Sequence, residues 1–165
     1  MHTRLNRVHT LLRCETTLVL ATVDEDRAPR STPLLYLARA AARESEALRL
    51  YWFSSPSSAH SRNCARNPAA AAAVFAPARR WQQIRGAQLW GRVAVVADPE
   101  LRRIIGREYC ERFELGRVPA AAMRRAALYC LTPERVRYIE NMRRFGEKFE
   151  ISFEKKQTPQ PLERQ

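Results

Sequence analysis

The sequence predicts a mainly β protein with a few helices, built as a small antiparallel barrel of about seven strands. Short runs of β-branched and aromatic residues recur along the chain and are separated by turn residues. Hairpin patterns come before any helical crossover, which favours antiparallel pairing. A long strand pattern also contains Gly86 and Gly91, and interior glycines of this kind mark bulges, barrel bends or close backbone approaches.

Length and composition indicate one folded domain. The chain has 165 residues, of which 45% are hydrophobic and 28% charged, and a chain of about 150 residues buries close to 70% of its unfolded surface. We therefore expect a single domain over residues 1–154 and a disordered polar tail over residues 155–165. The apolar runs fall short of the roughly 20 residues that span a bilayer. Since no apolar run follows the first basic residues, we expect no secretory signal and a cytoplasmic location.

The first half of the chain alternates between strands and short helices. Helical spacing of apolar residues predicts a helix over residues 4–13. Within the second strand, Pro33 predicts an edge position, a bulge, or a place where a ligand replaces the neighbouring strand, because proline donates no backbone hydrogen bond. Alanine favours a helix at residues 69–76, but the flanking prolines and the short length favour a buried strand. Strands are thus predicted over residues 17–23, 29–37, 47–53 and 69–76, with a short helix over residues 57–66.

The second half begins with a long strand over residues 84–97. Asp98 suits a helix N-cap and Pro99 the first helical position, and apolar residues from Leu101 to Phe113 share one face of the helix that follows. A second short helix is expected near residues 120–125. Two further strands, over residues 127–131 and 136–139, are expected to flank a turn at residues 132–134, and a last strand covers residues 149–153.

Neither the net charge nor the cysteine content identifies the function of the protein. The net charge is +12, which is compatible with a nucleic-acid partner. The arginines are scattered along the chain instead of forming one block, so nucleic-acid binding is not the expected main function. The four cysteines lie far apart without a C-x-x-C pair, so we expect buried, inert thiols and no metal site.

The strongest functional signal is an apolar strand that runs into a serine-rich turn and a short basic helix. Ser58, His60 and Arg62 lie at the start of that helix. The first N–H groups of a helix lack internal partners and carry the positive end of its dipole, so hydroxyls and cations placed there favour a phosphate. The same pattern is compatible with helix capping and a solvated arginine face. No catalytic residue can be assigned, because the motifs of triad hydrolases, zinc proteases and nucleotide-binding loops are absent.

In order and spacing, these segments resemble the pyridoxamine 5′-phosphate oxidase-like family of flavin-binding split barrels over about residues 18–153. No single motif is highly specific, but their combination is. Ile84 to Gln88, together with Asn141, Phe145, Gly146 and Lys148, is most similar to short bacterial members of unassigned activity. The resemblance rests on Leu20-Ala21-Thr22-Val23, Pro29-Arg30-Ser31-Thr32-Pro33-Leu34, Leu50 to Phe53, Ser58-x-His60-x-Arg62-Asn63, Asn67-Pro68 and Gly86-Ala87-Gln88-Leu89-Trp90-Gly91-Arg92-Val93.

The resemblance implies flavin mononucleotide (FMN) bound at a homodimer interface. By position, Arg30, Ser58, His60 and Arg62 would hold its phosphate, and the planar fork of arginine suits two phosphate oxygens at once. The family more often has lysine or arginine where His60 stands. A neutral imidazole attracts a phosphate less, so weak FMN binding is expected.

For the flavin ring, the resemblance implies contacts from the second strand. The backbone of Ser31, Thr32 and Leu34 would run along the isoalloxazine, where Pro33 is tolerated. Two roles stay open for Gln88, which either donates to a ring carbonyl or faces solvent. Phe145 and Gly146 either close the ring pocket from the partner subunit or form an ordinary loop.

The expected function is that of an FMN-dependent oxidoreductase acting on an unknown small-molecule substrate. A true pyridoxamine phosphate oxidase is not expected, because the C-terminal arginine and histidine pattern that holds pyridoxal phosphate has no match in residues 149–165. The alternatives are a split barrel that binds deazaflavin or haem, and a non-catalytic flavin-binding or nucleic-acid-binding module. The three histidines argue against haem, since His60 is the only credible ligand.

Overall fold

A single antiparallel sheet, curled into a half-barrel, organises the structure. The computed structural model describes residues 2–40, 48–116, 122–123, 125–142 and 145–153. Over these residues the strand order is β2-β1-β5-β6-β7-β4-β3, with β8 paired to β7. The expectation of a small antiparallel barrel is confirmed. The elements are α1 (His2–Cys14), β1 (Thr17–Val23), β2 (Pro29–Leu35), β3 (Leu37–Ala40), β4 (Leu48–Ser54), α2 (Ala59–Arg66), β5 (Ala69–Phe75), β6 (Arg85–Val95), α3 (Pro99–Arg112), β7 (Ala127–Glu140) and β8 (Glu147–Ser152), with a 3-10 turn at Trp81–Gln83.

The main core lies inside the half-barrel because its strands alternate between buried and outward residues. In β1, Leu18 and Leu20 are fully buried while Val19 is only half-buried. Helix α1 covers this core with apolar side chains at helical spacing, including Val8 and Leu11. The predicted N-terminal helix and the predicted strands 17–23 and 69–76 are confirmed.

A second apolar cluster lies between α3 and the other face of the sheet, where Ile105 and Tyr109 pack against Tyr51 and Leu128. The start of α3 is as predicted. The Asp98 carboxylate accepts from the backbone N–H groups of residues 100 and 101 at 2.9 and 3.3 Å, and a proline follows it directly.

The predicted turn at residues 132–134 is wrong, since β7 continues through it as one strand. The register of β6 against β7 shifts between Trp90, which pairs with Arg135, and Gly91, which pairs with Pro133, so Glu134 is the extra residue of a bulge next to the proline. At the bulge the backbones of β6 and β7 approach so closely that only glycine fits, because a Cβ on Gly91 would lie 2.1 Å from the Thr132 carbonyl oxygen. The prediction that a glycine of this strand marks a bulge is therefore confirmed, and the bulge accommodates the proline that suggested a turn.

The predicted strand 29–37 is in fact two strands that break at Tyr36. The Tyr36 side chain is fully buried, and its hydroxyl donates to the Leu12 carbonyl oxygen at 2.8 Å. Strand β2 ends the sheet order within the described residues, so the edge position predicted from Pro33 is confirmed. The tail at residues 155–165 and most of the predicted helix at residues 120–125 lie outside the described residues.

Candidate functional site

An open groove of about 630 Å³ lies between the β1–β2 turn and helix α2. The turn contributes three acidic side chains, and β2 and α2 together contribute three arginines. The charged residues that line it are Asp24, Glu25, Asp26, Arg30, Arg62 and Arg66. Among these residues, positive and negative charges are equal in number.

Asp24 fixes both the shape of the turn and the position of Arg30. Its carboxylate accepts from the backbone N–H of Ala28 at 2.8 Å and from that of Asp26 at 3.1 Å. It also accepts from Arg30 Nε at 2.7 Å, and this contact holds the pKa of Asp24 below its usual value. The Arg30 side chain remains 60% exposed, so its guanidinium stays accessible from the groove.

Helix α2 is tied to β1 by a buried hydrogen bond. Asn63 Nδ2 donates to Thr22 Oγ1 at 3.0 Å, and both residues are only 3% exposed. Arg66 then donates to Asn63 Oδ1 and to the Glu25 carboxylate, both at 2.9 Å. Because Asn63 joins the strand to this arginine, the helix presents a fixed face to the groove.

At the N-terminus of α2, four polar side chains form a serine–histidine cluster: Ser54, Ser58, His60 and Ser61. His60 Nε2 lies 2.8 Å from Ser54 Oγ and 3.2 Å from Ser58 Oγ, and Ser58 Oγ donates to Ser61 Oγ at 2.8 Å. The Ser58 hydroxyl makes no capping bond to the helix backbone, unlike the capping alternative considered from the sequence. Burial lowers the pKa of His60, so its imidazole is neutral at pH 7.

The four residues expected to hold a phosphate thus fall into two adjacent sets. Arg30 and Arg62 line the groove, whereas Ser58 and His60 belong to the cluster at the helix start. Arg62 donates through Nη1 to the Ser57 carbonyl oxygen. Sequence reasoning missed the part played by Asp24, although hairpin pairing of β1 with β2 places an acidic turn next to Arg30.

The residues expected along a flavin ring lie on the edge strand. Ser31 and Pro33 are exposed, while Thr32 and Leu34 are half-buried. Among the described strands, β2 pairs only with β1, so one side of its backbone is open to a ligand or to another chain.

The remaining predicted residues lie on β6 and in the turn before β8. Gln88 faces outward between buried neighbours and lines a separate cavity of about 360 Å³. Phe145 is 77% exposed, with its ring edge-on to Trp81 at 5.2 Å between centroids. The Gly146 N–H donates to Asn141 Oδ1 at 3.1 Å, and its φ of 68° suits glycine. Gln88 pairs with Ala73, and Ala73 pairs with Val19, so Gln88 lies only three residues along the strand from Thr22, the partner of Arg30, or roughly 10 Å. Strands β1 and β5 lie between the strand of Arg30 and that of Gln88.

The thiols differ in their surroundings. Cys64 and Cys130 are buried, as expected, but Cys110 is half-buried and Cys14 is exposed. Burial raises the pKa of the Cys64 thiol to about 11. Among the described helices, none is both long enough and apolar enough to span a bilayer.

Comparison with known sequences shows a family match over most of the chain. Residues 6–140 match the family model described as pyridoxamine 5′-phosphate oxidase. No curated protein matches the sequence.

Solved structures share the fold at low sequence identity. A conserved hypothetical protein from Mycobacterium tuberculosis is 18% identical with a TM-score of 0.70, over 82% of this chain and 84% of that one. A Clostridium acetobutylicum protein related to general stress protein 26, of the pyridoxinephosphate oxidase family, is 12% identical with a TM-score of 0.67, over 92% and 96%. A heme binding protein from Mycobacterium smegmatis is 17% identical with a TM-score of 0.67, over 90% of this chain and 57% of that chain.

Proposed function

Because the chain belongs to the pyridoxamine 5′-phosphate oxidase family, we propose that it binds FMN as a homodimer and uses it to oxidise or reduce a small molecule. The observation that carries this proposal is the groove, where Arg30 and Arg62, far apart in the sequence, lie beside the N-terminus of α2. Helix N-termini and arginine forks are both suited to a phosphate.

The donor set of the groove fits a phosphate dianion, but with modest affinity. Arg30 and Arg62 would hold the phosphate oxygens, whereas the Ser58 hydroxyl donates to Ser61 in the adjacent cluster. Arg30 must exchange its contact with Asp24 for the phosphate. His60 is neutral and adds no charge. Weak binding follows, since the gain from each new contact is reduced by the loss of an existing one.

The bound flavin would supply the electron transfer, and the chain would supply binding and orientation. Arg30 and Arg62 would anchor the phosphate end, while the open edge of β2 offers backbone N–H and C=O groups to the ring end.

A homodimer is supported by large apolar side chains left exposed where β5 and β7 end and β6 begins. Phe75, Ile84 and Met142 are 60%, 43% and 70% exposed. A second copy packed on this face would remove them from water, and a two-fold interface uses the same patch on both chains.

Haem is the less favoured cofactor, even though one structural neighbour is described as a heme binding protein. Haem iron needs an accessible axial ligand. His60 is only 9% exposed, and its Nε2 is engaged by two serine hydroxyls. Ligation through that atom would require the serine–histidine cluster to break.

The test is a fluorescence titration with FMN and with riboflavin, which lacks the phosphate. We expect Arg30→Ala and Arg62→Ala to weaken FMN binding about tenfold and to leave riboflavin binding unchanged, because each removes a charge-assisted contact. Arg107→Ala, at an exposed position on α3, is the matched control and should bind FMN as the wild type does.

Three outcomes would contradict the proposal. The first is no FMN binding at millimolar concentration, and the second is an equal loss in all three variants. The third is saturable binding of haem or deazaflavin in place of FMN. Sedimentation of the protein with and without FMN tests the dimer separately.

A further inference from the structure

The groove between the β1–β2 turn and α2, which we call the arginine groove, is lined by three arginines that the chain itself engages. Arg30 Nε donates to Asp24 Oδ2 at 2.7 Å. Arg66 donates to the Glu25 carboxylate at 2.9 Å, and Arg62 donates to a backbone carbonyl oxygen of the turn before α2. Any anion that enters the groove must therefore compete with contacts that are already made.

Asp24 is held in place by the turn to which it belongs. Its backbone N–H donates to the Ala28 carbonyl oxygen at 3.0 Å, and its own carbonyl oxygen accepts from the Arg27 N–H at 3.2 Å. Its carboxylate also accepts from the N–H groups of Asp26 and Ala28. The Asp24 side chain is 14% exposed, whereas that of Arg30 is 60% exposed. Since the turn fixes the carboxylate, Arg30 is the partner that can move.

The position of the Asp24 carboxylate decides between two roles. A carboxylate that lies behind an arginine, away from the ligand, orients the guanidinium and supports binding. A carboxylate that faces the ligand takes a donor from it and repels its charge. Asp24 and Arg30 both line the groove, so a phosphate on Arg30 would lie beside the carboxylate. The contact with Arg30 holds the pKa of Asp24 below its usual value, so this carboxylate is ionised at pH 7.

We propose that Asp24 is an internal competitor for Arg30, which lowers the affinity of the arginine groove for a phosphate and keeps a bound phosphate ligand exchangeable. The inference rests on the phosphate site of the proposed function but not on the flavin, because only the guanidinium and the two competing anions take part. A weakly binding anion does not displace the carboxylate, whereas a phosphate gains a second contact from Arg62, which also lines the groove. Removing the charge of Asp24 should therefore strengthen phosphate binding.

The experiment titrates inorganic phosphate into the wild type and Asp24→Asn and follows the backbone amide signals of α2 in ¹H–¹⁵N spectra. Asparagine keeps a side-chain oxygen that accepts from the turn, but it carries no charge. We expect phosphate to bind about fivefold more tightly to Asp24→Asn, which is the largest effect that an exposed ion pair commonly has on an equilibrium. In an Arg30→Ala background the same change should gain less than twofold, because the arginine for which Asp24 competes is gone.

Asp26→Asn is the matched control. Asp26 carries the same charge on the same turn and also lines the groove, but the ion pair of Arg30 is with Asp24. This variant should therefore gain less than twofold. In the wild type, phosphate should also shift the Arg30 Nε–H signal, which is identified by its loss in Arg30→Lys. This last readout does not depend on how well Asp24→Asn folds.

The proposal is overturned if phosphate leaves the Arg30 signal unmoved, if Asp24→Asn binds phosphate no more tightly than the wild type, or if Asp26→Asn gains as much. An equal gain in the Arg30→Ala background would also overturn it. Weaker phosphate binding by Asp24→Asn would show that the carboxylate orients Arg30 instead. Titration of the same variants with FMN separates the two proposals. If phosphate behaves as expected and FMN does not bind, the role of Asp24 stands and the proposed function fails.

Discussion

The hydrogen bond between Asn63 and Thr22 is expected to hold helix α2 in place, and with it one wall of the arginine groove. The two residues lie on α2 and β1, are both 3% exposed, and are joined at 3.0 Å. Thr22→Val removes the acceptor and keeps the side-chain shape. It leaves Asn63 Nδ2 buried without a partner, while Asn63 Oδ1 still accepts from Arg66.

The magnitude follows from the burial of both groups. Leaving a buried donor unpaired costs about 1–3 kcal/mol, so Thr22→Val should lower the free energy of unfolding by about 2 kcal/mol. In a domain of this size that corresponds to a fall in Tm of about 4–8 °C. Asn63→Leu should cost a similar amount, because it strands the Thr22 hydroxyl. The double variant removes both partners and should cost clearly less than the sum, with a coupling energy of at least about 0.5 kcal/mol.

Urea unfolding followed by tryptophan fluorescence measures all four corners of this double-mutant cycle. Thr10→Val is the matched control, since the Thr10 hydroxyl also makes a hydrogen bond, to the Asn6 carbonyl oxygen at 2.8 Å, but in an exposed position. It should change the stability by less than about 0.5 kcal/mol. The reasoning is refuted if the two single variants are as stable as the control, or if their effects simply add in the double variant.

Three further predictions concern the bulge, the thiols and the histidine. Gly91→Ala should destabilise the fold by about 3 kcal/mol, because its Cβ would lie 2.1 Å from a backbone oxygen. Thermal unfolding measures this, with Gly116→Ala as the control, since a Cβ at Gly116 meets nothing within 4 Å among the described residues. An equal loss of stability in the two variants would contradict the prediction. Iodoacetamide at pH 8, followed by peptide mass spectrometry, should label exposed Cys14 well before buried Cys64, whose pKa is raised to about 11; equal labelling would show that Cys64 is accessible. Burial lowers the pKa of His60, so below about pH 6.5 the unfolded chain takes up a proton before the folded one and the stability of the fold falls. His60→Gln should therefore flatten this part of the pH profile of urea unfolding midpoints. An unchanged profile would show that other groups cause the fall.

Periodicity predicted the strands of the half-barrel well because each buries one face. The rule that every second residue is buried holds in β1 from Leu18 to Thr22, and it survives the alanine-rich sequence of β5. The predicted turn at Pro133 was wrong, because pairing with β6 overrode the local preference for a turn. The deciding contact is with Gly91, which lies far away in the sequence, so local signals around Pro133 could not reveal it.

The sequence predicted which types of residue form the candidate site, but it did not predict the contacts that these residues make. A serine-rich helix start and nearby arginines indicated an anion site, and Arg30 and Arg62 do share a groove. The direction of the Ser58 hydroxyl, toward His60 and Ser61 instead of the helix backbone, depends on how α2 is buried. Side-chain partners of this kind are set by tertiary packing, which sequence spacing does not encode.

The net charge of the chain and the charge of its candidate site have different consequences. The chain carries +12, but arginines and carboxylates balance within the groove. Excess positive charge elsewhere attracts an anion over long distances and raises its association rate, an effect that salt screens. Once in the groove, a phosphate competes with Asp24 for Arg30 and with Glu25 for Arg66. Salt should therefore slow FMN association strongly while changing its dissociation rate little. The basic composition favours encounter with any anion, and the paired arginines decide which anions remain bound.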